Sequence, residues 1–216
     1  MLCWIVSSSS SKLVIDKHDT KGISSHYTIM DIERIIDLGD DNSLIIGTYT
    51  PIVNYTSLAE SIPFQESITT LFGKQHQTGR QVATMGYPYS YNGDITPKPT
   101  HVPLPVQSIM STLSLRTSTS FNCCVANLYP NGDVGLGPHD DGETNTSHIA
   151  TVSFGAERKC VYTKKDKTES HTILLKDKSV VIMAGATFQL LWKHAIPKMK
   201  CESTRISLTF RAYHTE

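Results

Sequence analysis

Phe121-Asn-Cys-Cys-Val-Ala-Asn-Leu-Tyr129 opens the stretch that decides the fold, and Arg205-Ile-Ser-Leu-Thr-Phe-Arg-Ala-Tyr213 closes it. Between these ends, short runs rich in apolar, β-branched and aromatic residues alternate with turn residues. Such runs, without long helical segments between them, favour a sandwich or jelly roll over alternating strands and helices. The predicted strands are Phe121–Tyr129, Ile149–Phe154, Lys159–Thr163, Thr172–Leu175, Ser179–Met183, Phe188–Trp192 and Arg205–Tyr213.

Two histidines and an aspartate near the ends of these strands form a metal-ligand pattern. His139 and Asp141 follow the first predicted strand, and His194 follows the sixth. A two-sheet roll can bring these positions to one mouth. Two histidines and one carboxylate on one face of a metal are the ligand set of non-haem iron(II) oxygenases. Asp140, between the first two candidate ligands, is predicted to face solvent.

Two arginines, Arg205 and Arg211, bracket the last apolar run. Iron of this type needs an electron-donating co-substrate to activate dioxygen. A fixed arginine near a strand end is a good anchor for a dicarboxylate, because its planar fork binds a carboxylate at two points.

The first half of the chain has a mixed pattern. Apolar residues recur at helical spacing over residues 29–38, which predicts a helix. A second helix is predicted over 58–71 with an interruption at Pro63, and a third over 107–115. Tyr87–Gly93 is predicted to be a turn or hairpin with exposed aromatic side chains, followed by an irregular proline-rich connector.

Length and charge place limits on the organisation. The 216 residues suit one domain with an N-terminal extension. We divide them into an extension of unassigned role (1–45), a substrate-recognition lid with supporting helices (46–120) and a catalytic core (121–216).

The formal net charge is zero. The segment from Glu157 to Arg205, however, carries eleven basic and five acidic residues, an excess of six. This excess suits either phosphates or solvated strand edges.

Cysteine usage and hydropathy bear on the compartment. The five cysteines are an odd number with no C-x-x-C spacing, which favours buried thiols in a reducing compartment. The apolar start Met1–Val6 is short and has no basic flank, so a signal peptide is not expected. No apolar run approaches the length of a membrane span. We therefore expect a monomeric, intracellular protein, nuclear or cytoplasmic, without a membrane partner.

The motifs of residues 121–211 together resemble the AlkB family of 2-oxoglutarate- and iron(II)-dependent nucleic-acid demethylases. The matching segments, in family order, are Asn127-Leu-Tyr129, His139-x-Asp141-x-Glu143, Ser153-Phe-Gly-Ala156, His194 and Arg205-Ile-Ser-Leu-Thr-Phe-Arg211. Each piece alone is weak, but the ordered combination is specific. The resemblance implies a mainly β fold with flanking helices (α+β): a double-stranded β-helix, or jelly roll, with an N-terminal helical and hairpin lid.

The resemblance also implies roles for individual residues. His139, Asp141 and His194 would bind iron(II), and Arg205 and Arg211 would bind the carboxylates of 2-oxoglutarate. The co-substrate pocket would be completed by Asn127, Tyr129, Ser207 and Thr209. With dioxygen, and ascorbate as reductant in vitro, the enzyme would hydroxylate an N-methyl group on 1-methyladenine or 3-methylcytosine. The hemiaminal product then yields formaldehyde and the unmodified base.

Three upstream segments resemble the branch of the family that repairs alkylated duplex DNA: Leu71-Phe-Gly-Lys74, Arg80-Gln-Val-Ala-Thr84 and the hairpin with Tyr89 and Tyr91. The implied substrate-binding residues are Phe72, Gly73, Lys74, Tyr89, Tyr91 and Glu143. A target base must leave the helical stack to react, so Phe72, expected at a helix end, would wedge into the gap. The two tyrosines would stack on the flipped base, and Glu143 would favour a cationic one.

Two departures from the family pattern bear on the assignment. Ser207 replaces the usual Asn between the arginines with a shorter polar group, which would weaken one contact. Gly142 stands where the duplex-repair branch commonly has a second acid that contacts the base, which bears on substrate preference more than on catalysis. The alternatives are the same chemistry on RNA, hydroxylation of a protein side chain or lipid, and a cupin-like module that binds metal without turnover. The complete ligand set and both arginines count against the last alternative. The aromatic hairpin and Phe72 count against a protein target.

Overall fold

The structure is a computed structural model that describes residues 29–50, 54–88, 94–95, 98–142 and 148–213. Within these residues the chain forms thirteen strands and three helices. The strands are β1 (Ile29–Gly39), β2 (Asn42–Thr50), β3 (Gln65–Leu71), β4 (Lys74–Gly86), β5 (Asp94–Ile95), β6 (Cys123–Tyr129), β7 (Leu136–His139), β8 (His148–Gly155), β9 (Arg158–Lys164), β10 (Ser170–Leu175), β11 (Ser179–Ala184), β12 (Trp192–Ile196) and β13 (Arg205–Arg211). The helices are α1 (Tyr55–Ser61), α2 (Leu104–Thr117) and α3 (Phe188–Leu191).

The described strands form two antiparallel sheets. The larger, nine-stranded sheet has the order β1-β2-β11-β8-β13-β6-β4-β3-β5, and the smaller, four-stranded sheet has the order β10-β9-β12-β7. Neighbours in the larger sheet come from distant parts of the chain, which is the crossover pattern of a jelly roll. The predicted fold class, a mainly β jelly roll with flanking helices, is confirmed. The domain division and the lid stay predictions.

Alternation along the central strands explains how the larger sheet is buried on both faces. In β11, Val180 and Ile182 point into the core that includes the buried face of α2, while Val181 and Met183 point towards the smaller sheet. In β13, Ile206, Leu208 and Phe210 join the helix-side core. Because side chains alternate in a strand, the polar residues between them project into the space between the sheets. That space holds the functional site.

The helix predicted over 29–38 is wrong, because this segment is strand β1. A hairpin turn at Asp40 and Asp41, both with positive φ, folds β2 back onto β1. The Asn42 side chain donates hydrogen bonds to the Gly39 and Asp40 carbonyls and so fixes the turn. Since β2 also pairs with β11, the β-branched residues of β1 gain a strand partner, and this outweighs their helical spacing.

The helix predicted over 58–71 is correct only in its first part. Asn54 caps α1 by accepting a hydrogen bond from the Ser57 amide at 2.9 Å. The helix ends before Pro63, and the chain continues as β3, paired with β4. The turn between β3 and β4 consists of Phe72 and Gly73, which both have positive φ, so Phe72 lies at a hairpin tip and not at a helix end.

The remaining predictions had mixed outcomes. Helix α2 contains the predicted segment 107–115. The strand predicted at Phe188–Trp192 is wrong, since α3 occupies most of it and strand β12 begins only at Trp192. His194 therefore lies within a strand and not after one. The hairpin at Tyr87–Gly93 falls largely outside the described residues. Among the described helices, none is both long and apolar enough to cross a membrane.

Candidate metal centre and co-substrate pocket

Strand pairing brings the three candidate metal ligands together at one end of the smaller sheet. His139 ends β7 and lies directly opposite His194 of β12, so their ring centroids are 4.2 Å apart. Asp141 follows two residues after His139. Its Oδ1 is 3.8 Å from His139 Nε2, and its Oδ2 is 3.9 Å from His194 Nε2. One ligand atom from each residue lies within 4.8 Å of the others, which fits a single iron ion.

The protonation states of these ligands suit a divalent cation. His139 Nδ1 donates to the Gly137 carbonyl at 2.8 Å, and this bond orients the ring with Nε2 towards Asp141. Burial lowers the pKa of His194 to about 4, so its ring is neutral near pH 7. Burial by itself raises the pKa of Asp141, but Arg211, His194 and His139 outweigh it and hold that pKa well below its usual range. Asp141 thus offers an anionic oxygen and His194 a neutral nitrogen.

Arg211 holds the aspartate ligand in place. Its Nη2 donates to Asp141 Oδ1 at 2.6 Å, and both side chains are buried. This charge-assisted bond sets the orientation of the carboxylate. The prediction that Arg211 binds the co-substrate stays open, but the structure gives it a contact to Asp141 that sequence reasoning did not foresee.

Arg205 has the geometry of a carboxylate anchor. It is 1% exposed, its Nη2 donates to Ser153 Oγ at 2.9 Å, and its guanidinium lies 5.2 Å from the centre of the Tyr129 ring. Its Nε and Nη1 are buried and have no hydrogen-bond partner among the described residues. A buried cation with unused donors is costly, so Arg205 suits an incoming carboxylate of 2-oxoglutarate.

One cavity between the sheets unites the predicted metal and co-substrate residues. It is lined by all nine of them: Asn127, Tyr129, His139, Asp141, His194, Arg205, Ser207, Thr209 and Arg211. Four of these residues alternate along β13 on the face opposite its apolar residues. The strand spacing of the arginines was therefore the informative signal in the sequence.

Sequence reasoning missed other residues of this cavity. Arg80 of β4 is buried and donates from Nη1 to Asn127 Oδ1 at 2.6 Å, so it adds a third arginine to the wall. Tyr162 of β9 stacks against His194 with ring centroids 5.9 Å apart. Asp140, which was predicted to face solvent, also has a partner, because its Oδ2 lies 2.9 Å from Lys165 Nζ. No local pattern marks these side chains as buried or paired, since their partners lie far away in the chain.

The predicted substrate residues lie apart from this cavity or outside the described residues. Phe72, Gly73 and Lys74 lie at the β3–β4 hairpin tip, and the Phe72 side chain is fully exposed. Tyr89, Tyr91 and Glu143 lie outside the described part of the chain. Their roles stay predictions.

Comparisons with known proteins define the class of this chain. Residues 51–211 match the model of the 2OG-Fe(II) oxygenase superfamily. The chain therefore belongs to the 2OG-Fe(II) oxygenase superfamily, whose members use iron(II), 2-oxoglutarate and dioxygen. The cavity described above fits these groups: it offers three ligands for iron and an arginine fork for the co-substrate.

Sequence relatives place the chain more closely. It is 33% identical over 157 residues to DNA oxidative demethylase ALKBH2 of Bos taurus, a match that covers 65% of this chain and 55% of that protein. The Homo sapiens ALKBH2 is 34% identical over 157 residues, with coverages of 65% and 59%. That of Arabidopsis thaliana is 29% identical over 223 residues, with coverages of 82% and 68%. The matches thus span little more than half of the two mammalian relatives.

These relatives confirm the resemblance to the AlkB family and place the chain near its ALKBH2 branch. A solved structure of OsALKBH1 aligns with a TM-score of 0.50 at 18% identity, covering 70% of this chain and 85% of that one. At this identity the alignment supports the fold alone. The predicted class of enzyme, a 2-oxoglutarate- and iron(II)-dependent dioxygenase, is confirmed at the level of the family.

Proposed function

We propose that this chain removes methyl groups from N-alkylated bases in DNA, with 1-methyladenine and 3-methylcytosine as substrates, coupled to the decarboxylation of 2-oxoglutarate. The observation that carries this proposal is the joint cavity: three metal ligands, one fixed by Arg211, lie in the same cavity as the unpartnered Nε and Nη1 of Arg205. The names of the ALKBH2 relatives, DNA oxidative demethylases, support DNA as the substrate.

When bound, iron(II), 2-oxoglutarate and dioxygen would supply the oxidation: one oxygen atom of dioxygen would enter the N-methyl carbon, and the other would enter succinate as carbon dioxide is lost. The hydroxymethyl product would then release formaldehyde and the unmodified base. The protein's own contribution is orientation. Arg205 would fix one carboxylate of the co-substrate, Arg211 fixes Asp141, and Tyr162 packs behind His194. Removing freedom from the reacting groups in this way lowers the barrier to reaction.

The β3–β4 hairpin tip supports duplex DNA as the substrate. Phe72 has φ 51°, a conformation that costs an ordinary side chain roughly 1–2 kcal/mol and that two-residue hairpin turns usually give to Asn, Asp or Gly. Its ring is fully exposed, so packing in the folded chain does not offset that cost. An apolar ring presented at an exposed hairpin tip suits insertion between base pairs, where it would fill the gap left by a flipped base.

The experiment is a demethylation assay with two levels of readout. The protein is incubated with iron(II), 2-oxoglutarate and ascorbate, and succinate formation reports the oxygenase reaction. Mass spectrometry of single- and double-stranded oligonucleotides with one 1-methyladenine or 3-methylcytosine, in DNA and in RNA, reports the substrate. Succinate without demethylation of any strand would overturn the proposed substrate, and preference for RNA would overturn the choice of DNA.

A matched pair of histidine variants tests the metal centre. His139→Ala should abolish both readouts, because it removes one ligand. His101→Ala should leave both unchanged, since His101 is exposed and lies outside the cavity. Demethylation that survives His139→Ala would exclude the proposed iron site.

A further inference from the structure

Two residues outside the cavity lining, Gln189 and Lys165, hold the backbone of the aspartate ligand. Gln189 of α3 accepts a hydrogen bond at its Oε1 from the Asp141 backbone amide at 2.8 Å. Lys165, just after β9, donates from Nζ to the Gln189 carbonyl at 2.9 Å and forms an ion pair with Asp140 Oδ2 at 2.9 Å. Lys165 therefore connects Asp140, the residue before the ligand Asp141, to Gln189, which binds the Asp141 amide.

The segment that carries Asp141 depends on few anchors. The carboxylate is fixed by Arg211 from the larger sheet. The next residue, Gly142, has φ 74°, and no atom lies within 4 Å of the place where a Cβ would stand. Among the described residues, its amide donates to Asp140 Oδ1 at 3.3 Å. Among the described hydrogen bonds, the Gln189 contact is the one that ties the Asp141 backbone to another element.

We propose that Gln189 and Lys165 are positioning residues that fix the Asp141 backbone, so that its carboxylate points at the metal. Arg211 binds the carboxylate of Asp141, and Gln189 binds its backbone amide. With both groups held, the Asp141 side chain has one orientation. The Lys165 contacts are partly exposed, with side-chain exposures of 35% and 29% for Lys165 and Asp140, so Lys165 supports Gln189 but does not replace it. Loss of a group that orients a ligand typically weakens metal binding about 10–100-fold.

This inference rests on the metal centre of the proposed function, but its test needs no DNA and no turnover. Binding of Mn²⁺ is measured by calorimetry, and amide hydrogen exchange of the segment around Asp141 is measured in the metal-free protein. Gln189→Leu keeps a similar volume and removes the acceptor. We expect about 10-fold weaker Mn²⁺ binding and faster exchange at Asp141. If the wild-type protein binds Mn²⁺ but demethylates no strand, that result counts against the proposed substrate and leaves this inference intact.

Matched variants separate positioning from general stability. Gln189→Glu keeps an acceptor and should restore protection of the Asp141 amide, whereas Leu190→Ala, at an exposed neighbour, should change neither readout. If Gln189→Leu does not fold, Lys165→Met carries the test, with Lys164→Met as its control. We expect a smaller loss of Mn²⁺ affinity for Lys165→Met than for Gln189→Leu. Wild-type exchange at Asp141, or wild-type Mn²⁺ affinity despite faster exchange, would overturn the proposal.

Discussion

Replacing Arg205 with methionine should separate co-substrate binding from stability. Arg205 is buried, and its side chain donates to Ser153 and lies over the Tyr129 ring. Its Nε and Nη1 have no partner among the described residues. Because few contacts compensate for the burial of this cation, Arg205→Met should lower the free energy of unfolding by less than about 1 kcal/mol or should raise it.

The same substitution should strongly weaken the use of 2-oxoglutarate. A hydrogen bond to a charged group contributes about 1.5–3 kcal/mol. Loss of one such bond should therefore raise the KM for 2-oxoglutarate by at least about 10-fold. The assay combines succinate formation at varied 2-oxoglutarate with thermal unfolding of the metal- and co-substrate-free protein.

Arg158→Met is the matched control, because Arg158 is equally buried and lies on the same Tyr129 ring, 5.5 Å from its centre. It differs in its partners: it donates to the carbonyls of Asn131, Val134 and Pro197 at 2.9–3.1 Å. Losing these bonds should cost about 3–5 kcal/mol and lower Tm by about 10 °C or more. The reasoning is refuted if Arg205→Met lowers Tm as much as Arg158→Met, or if the KM for 2-oxoglutarate is unchanged in Arg205→Met.

Three further substitutions test other parts of the structure. Arg211→Met should weaken Mn²⁺ binding about 10-fold, as measured by calorimetry, because Asp141 loses its 2.6 Å contact; unchanged affinity would contradict this role. Phe72→Asn should leave Tm unchanged or raise it, since Asn tolerates positive φ, while demethylation of duplex DNA falls and that of single strands does not. Equal losses on both strand forms would exclude a wedge. Asn54→Ala should lower the free energy of unfolding by about 1 kcal/mol in urea titration, because the Ser57 amide loses its cap; no change would mean that α1 contributes little to stability.

The accuracy of sequence reasoning depended on whether the signal was local. Arg205 and Arg211 lie an even number of residues apart in an apolar run, so a strand must place both on one face, and the structure does so. The segment 29–38 failed for the opposite reason. The apolar spacing of this segment suits a helix, but β2 supplies hydrogen-bond partners along the whole of β1. The turn at Asp40 and Asp41 places β2 beside β1.

The sequence by itself determined three features: which side chains are candidate metal ligands, which strand presents the arginines, and the jelly-roll class that follows from many short strands. Only the tertiary structure decided how these groups act on each other. His139 faces His194 because β7 pairs with β12 in one register, and Arg211 reaches Asp141 across the two sheets. Gln189 reaches the Asp141 amide from a short helix that was predicted to be a strand. Register and sheet packing are long-range properties, fixed by the burial of the whole core, so no local stretch of sequence specifies them.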